Sequence, residues 1–157
     1  MGIDAHGAAL MLERARNGVR FDQTLMIGRQ NFFVGRAEWR RLLARARSPV
    51  PQAWQQLECF HGAFAEPFFR ALGATAVHSL DATAYEGAER IHDLNQPIPS
   101  DWHGQYEAVF DGGSLEHVFQ YPRALLNCLQ LVKPGGHLLA YTPANNYCGH
   151  GFYQFSP

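Results

Sequence analysis

Residues 106–142 read YEAVFDGGSLEHVFQYPRALLNCLQLVKPGGHLLAYT, and this stretch decides the fold. An apolar run at Ala108–Phe110 stops at Asp111-Gly112-Gly113, and a segment from Pro122 to Leu131 then carries Ala124, Leu125, Cys128 and Leu129 on one helical face. Lys133-Pro134-Gly135-Gly136 ends that helix, and His137–Tyr141 resumes an apolar run. Strand, acidic glycine turn, amphipathic helix, glycine turn and strand form half of a doubly wound α/β unit. Open parallel sheets bind ligands beyond the carboxyl ends of their strands, which is where Asp111, Gly112 and Gly113 fall.

Working outward, the same pattern recurs upstream. Thr24–Ile27 is a short apolar run ending at Gly28 and reads as the first strand; Thr75–Leu80, ending at Asp81, reads as the second; Ile91–Leu94, closed by Asn95 and two prolines, as the third. Asp4 is placed to cap a helix over Ala5–Asn17 that Gly18 stops. Arg36–Arg47 has Trp39, Leu42, Leu43 and Ala46 at helical spacing among five arginines, a solvated face or a surface for an acidic or phosphate-bearing partner. The Phe60, Phe64, Phe68 spacing predicts three rings on one face of a helix within Gln52–Leu72, ended by Gly73.

A chain of 157 residues with 46% hydrophobic residues supports one core, read here as an N-terminal helical segment (1–22) and an α/β core (23–157). Thirteen basic against fourteen acidic residues give a net charge of -1, which argues against a broad electrostatic surface for nucleic acid or anionic lipid. Cys59, Cys128 and Cys148 form no CxxC pair and their odd number closes no disulfide framework, so a cytoplasmic location is expected, with Cys59 and Cys128 as buried apolar residues. No stretch reads as a secretory leader or a membrane span, and the Met1-Gly2 start lacks the Ser or Thr that myristoylation requires at position six.

Three acids thus mark three successive strands: Asp81 after the second, Asp93 within or just after the third, and Asp111 after the fourth. In a twisted parallel sheet these ends open on one edge, where a carboxylate can accept both ribose hydroxyls and another an adenine amine. The order of features, and above all FDGGSLEHV at 110–118 and LVKPGGHLLAYTP at 131–143, resembles the class I S-adenosylmethionine-dependent methyltransferases from about Gln23 onward. The resemblance implies a doubly wound, Rossmann-like, mostly parallel sheet and S-adenosylmethionine as cofactor. It places Asp81 on the ribose, Asp93 and Leu94 beside the adenine, and Asp111, Gly112 and Gly113 near the methionine portion, with Gly28 and Arg29 at the first turn.

The chain departs from that pattern twice. The first turn, TLMIGRQNFFVG, holds Gly28 and then Arg29 in place of a Gly-x-Gly turn. In the resembling domains a helix and two further strands follow the fifth strand, so the stop at Pro157 implies either a C-terminally truncated domain or a partner chain that covers the exposed edge of the fifth strand. Glu116 and His117 are the candidate catalytic pair, His117 either taking a proton from the acceptor or capping local structure. Asn145, Asn146 and Tyr153 line an acceptor pocket or make ordinary loop hydrogen bonds. No metal is assigned, because Cys148 and His150 are too close and too isolated for a zinc pattern and His137 begins a strand. A non-catalytic methyltransferase-like binding module is the alternative reading, and a nicotinamide oxidoreductase is disfavoured by the missing Gly-x-Gly-x-x-Gly. The methyl acceptor stays open.

Overall fold

A computed structural model describes residues 2–45, 49–144 and 148–155. In chain order the elements are β1 (Gly2–Ile3), α1 (Ala5–Arg16), β2 (Gln23–Ile27), β3 (Asn31–Phe32), α2 (Arg36–Ala44), α3 (Gln52–Gln55), β4 (Ala63–Phe64), α4 (Glu66–Ala71), β5 (Ala76–Asp81), β6 (Arg90–Ile91), β7 (Tyr106–Asp111), α5 (Tyr121–Leu131) and β8 (Val132–Ala140), with single 3-10 turns at Ser100–Trp102 and Leu115–His117.

The large sheet has the order β6-β5-β2-β7-β8, and all four of its pairings are parallel. Numbered along the chain within this sheet, the strands run third, second, first, fourth, fifth. The order therefore reverses between β2 and β7, where Ile27 stands opposite Asp111. A crevice at such a reversal is the general ligand position of open α/β sheets.

Strand alternation explains why the sheet is covered on both faces. Met26, Val77, Ala108 and Phe110 point into one core with Ile3, Met11 and Leu12 from the N-terminal segment and Phe32, Trp39, Phe68 and Phe69. Leu25, Ile27, Leu80 and Val109 point into a second core with Ala124, Cys128 and Leu131 of α5. Central strands buried on both sides read as continuous apolar runs, which is how β2, β5 and β7 were visible in the sequence. Helix α1 begins as expected, with Asp4 Oδ1 accepting the Gly7 N–H at 2.8 Å, and ends before Gly18 at φ 89°.

Four expectations are corrected. Gln52–Leu72 is not one helix: α3 and α4 are separated by a turn in which His61 and Gly62 take φ of 56° and 92°, followed by β4. Phe60 and Phe68 both pack against Phe32, but Phe64 turns away and lies under the Arg29 guanidinium. The expected connection at 29–35 contains β3, which pairs in parallel with β1 and antiparallel with β4 to form a second, three-stranded sheet. The segment 1–22 is therefore not purely helical. The third strand of the large sheet is shorter than the Ile91–Leu94 reading, with Leu94 beyond its end.

No helix among the described residues is long and apolar enough to cross a membrane. Cys59 and Cys128 are buried thiols, raised to about 11 and about 12 by burial, while Cys148 is exposed.

Candidate functional site

The carboxyl ends of β2, β5, β6 and β7 enclose a cleft of about 280 Å3, lined among others by Gly28, Asp81, Asp93, Leu94, Ser114 and His117. Gly28 ends β2 in the left-handed region, φ 69°, and its N–H donates to the Leu80 carbonyl at 2.7 Å, so the backbone crosses the strand end without a side chain projecting over it. Asp81 ends β5, half-buried, with one carboxylate oxygen accepting the Thr83 N–H at 3.2 Å. Asp93 is exposed beyond β6; the backbone N–H and the side-chain amide of Asn95 both bond its Oδ1 and hold its carboxyl below the usual carboxylate range. Leu94 is buried behind it, its carbonyl held at 3.0 Å by the buried side chain of Asn127. Four of the eight residues assigned to a cofactor, Gly28, Asp81, Asp93 and Leu94, therefore share one cleft.

Arg29 does not join them. Its Nε pairs with Glu66 at 2.7 Å, its Nη1 donates to the Glu86 carbonyl at 2.8 Å, and its guanidinium lies 3.7 Å from the Phe64 ring centre, so its charge is neutralised in a different cavity. The cation expected beside the ligand is thereby removed from the cleft.

Asp111, Gly112 and Gly113 lie behind the cleft, at the switch between β2 and β7. The Asp111 carboxylate accepts the Ser114 and Leu115 N–H groups through Oδ1, and burial pushes it up to about 7. Gln30, which the sequence did not single out, fills the crevice: its Nε2 donates to the Ile27 carbonyl at 2.6 Å and its Oε1 sits 2.7 Å from where a Cβ on Gly112 would stand. Ser114 also donates to the Ile27 carbonyl. Gly112 is required by this contact, since any side chain there would meet Gln30 and Phe110.

The buried acceptors without a hydrogen-bond partner gather here. Among the described residues they are Gln30 Oε1, Asp111 Oδ2 and both carboxylate oxygens of Glu116; the one donor in the same condition among them, Arg14 Nε, is on α1. Gln30 Oε1 faces Gly112, and Glu116 Oε1 lies 3.2 Å from the Cβ position of Gly113. Buried polar atoms are normally paired, so a group of acceptors with no donors marks a place suited to a cationic or N–H-bearing ligand.

The turn Ser114–His117 separates two cavities. His117 lines the cleft with Asp81 and Asp93, whereas Glu116 faces the other side, in a cavity shared with Gly112, Gly113, Tyr141 and His150. His117 and His150 approach Glu116 to 4.0 and 3.8 Å. The catalytic pair of the sequence reading thus splits between two cavities. Tyr153 donates to the Phe119 carbonyl at 2.6 Å and packs on Tyr121, which is the loop role; Asn145 and Asn146 lie outside the described residues. Arg36 and Arg40 line a further, separate cavity with Trp39 and Phe60. What sequence reasoning missed, Gln30, Asn127 and the approach of His150, depends on contacts between distant segments; the visible signal was Asn127, a polar residue on the apolar stripe of α5.

Neither protein-family models nor characterised proteins give a match to this chain.

Proposed function

We propose that the chain is an S-adenosylmethionine-dependent methyltransferase domain of open acceptor specificity. One observation carries the reading: Asp81 and Asp93 stand at the ends of neighbouring strands in one cleft that Gly28 and Leu94 also line. This spacing suits a nucleoside, the ribose diol on Asp81 and the purine against Leu94 with its amine toward Asp93. The fit extends inward, because the partnerless acceptors Gln30 Oε1 and Asp111 Oδ2 behind the cleft suit the ammonium of the methionine portion. Such a cofactor supplies an electrophilic methyl group when bound. The chain's part is then to align it with an acceptor and to exclude water, for which no dedicated base is needed when the acceptor carries no proton to lose. Glu116 faces away from the nucleoside cleft and receives no proton-transfer role here.

A second reading has its own support. Gln30 and Ser114 both bond the Ile27 carbonyl across the switch, filling the crevice into which the methionine portion must reach. A domain kept in this state is a binding or assembly module without cofactor.

Calorimetric titration of the whole chain with S-adenosylmethionine and with S-adenosylhomocysteine separates the two. The methyltransferase reading expects saturable binding of both, weakened roughly ten- to hundredfold in Asp81→Ala, the loss of a charged hydrogen bond worth about 1.5–3 kcal/mol. No binding by a chain with a cooperative unfolding transition would overturn it in favour of the module.

A further inference from the structure

At the boundary between the nucleoside cleft and the cavity behind it, Glu116, His117 and His150 stand together. Their donor atoms, one from each residue, lie within 4.8 Å of one another. The Glu116 side chain is 1% exposed, and neither of its carboxylate oxygens has a hydrogen-bond partner. A carboxylate taken out of water without hydrogen bonds or a firm counter-charge is strongly disfavoured. The two imidazoles near it are 40% and 47% exposed and stand at 4.0 and 3.8 Å, too far to be hydrogen-bonded.

The backbone is built to bring these groups together. The N–H groups of Phe152 and Tyr153 donate to the Glu116 carbonyl at 2.8 and 3.2 Å, which fastens the segment carrying His150 onto the Leu115–His117 turn. Gly151 makes the approach possible, since a Cβ there would fall 2.7 Å from the Glu116 carbonyl oxygen. Gly113 lets the carboxylate in from the other side, a Cβ there coming within 3.2 Å of Oε1. His117 and His150 meet edge to face with ring centres 4.8 Å apart.

We propose that Glu116, His117 and His150 form a binding site for a divalent transition-metal ion of the zinc type. Ligands at about 2.0–2.2 Å around a tetrahedral ion lie about 3.3–3.6 Å apart, and the observed separations close to that by small rotations of the two exposed imidazoles. Two imidazole nitrogens and one carboxylate oxygen suit zinc or cobalt; magnesium and calcium demand oxygen ligands throughout. Three protein ligands leave the fourth position for water or an oxygen-bearing molecule, the pattern of a reactive site and not of a purely structural one. The ion stands between the two cavities, since His117 lines one and Glu116 and His150 the other. Nothing in this inference depends on a nucleoside cofactor.

The test is titration of the chelator-stripped full chain with zinc chloride by calorimetry, and with cobalt(II) by visible absorption. The expected result is one equivalent bound, with a tetrahedral cobalt spectrum. Affinity should fall at least about tenfold in each of Glu116→Gln, His117→Ala and His150→Ala, the scale on which even supporting residues of metal sites act. Glu116→Gln is isosteric and His150→Ala removes an exposed ring, so apo proteins that unfold at the wild-type temperature keep the comparison valid. If a variant is misfolded, zinc-induced stabilisation of the wild type against His150→Ala decides. No stoichiometric binding, or equal affinity in the wild type and the histidine variants, would assign the signal to other members of the eight histidines and overturn the site.

Discussion

Ser114 Oγ donates to the carbonyl of Ile27 at 2.6 Å, a bond that joins the end of β2 to the turn after β7 across the point where strand order reverses. Gln30 Nε2 donates to the same oxygen, also at 2.6 Å. Ile27 is buried, so this carbonyl depends on side chains for its outer hydrogen bonds.

Removing one donor leaves the other. Ser114→Ala and Gln30→Ala are each expected to cost about 1 kcal/mol or somewhat more, the net worth of one buried hydrogen bond. The double variant is expected to lose more than the sum of the singles, because only then is the carbonyl stripped of both. Urea unfolding of the four proteins in a double-mutant cycle measures the coupling, expected at roughly 0.5–3 kcal/mol, and strict additivity would show that the two donors act independently.

The Asp111 carboxyl is raised from 3.8 to about 7, first by burial and then by the nearby Glu116, against the opposing pull of the Ser114 N–H. A folded-state value above the unfolded one means that the native chain holds the proton more tightly. Its contribution is therefore fully present below about pH 4 and is lost as pH rises to about 7, by at most about 1.4 kcal/mol per pH unit. Asp111→Asn keeps the acceptor for the Ser114 and Leu115 N–H groups while removing the charge. Denaturant unfolding in the presence of a chelator should show this variant less sensitive to pH between 4 and 7, and relatively more stable at pH 8 than the wild type. An identical pH profile in the two proteins would sink the assignment.

Thiol titration with an aromatic disulfide reagent should find one reactive cysteine in the native chain and three after denaturation. Cys148 is exposed, while Cys59 and Cys128 are enclosed and have thiols raised to about 11 and about 12, leaving almost no thiolate at neutral pH. Rapid reaction of a second thiol would show that one of the two cores opens readily; Cys59 belongs to the first and Cys128 to the second.

The large sheet was legible because each of its central strands is an apolar run stopped by a glycine or an acid: Ile27 by Gly28, Leu80 by Asp81, Phe110 by Asp111. The same stops gave the cleft, since an acid at a parallel strand's end lies on the ligand edge whatever the loops do. The second sheet was not legible. Its strands are two residues long and carry no period to detect, and their pairing joins Gly2–Ile3 to Asn31–Phe32 and Ala63–Phe64. The false helix arose because Phe60, Phe64 and Phe68 repeat at helical spacing by coincidence, although Gly62 between them was a warning. Gln30 in the crevice and His150 beside Glu116 are placed by long-range packing, on which spacing along the chain carries no information.

The central strand of the large sheet is also the first to be made. Gln23 pairs with Ala76 on one side and Ile27 with Asp111 on the other, so during translation β2 leaves the ribosome long before either neighbour exists. Its apolar side chains and both rows of its backbone groups wait for closure of long chain segments, a slow route that exposes sticky surface meanwhile. The crevice at the reversal comes into being only once synthesis has passed Asp111, and stabilisation by a ligand at that edge begins no earlier.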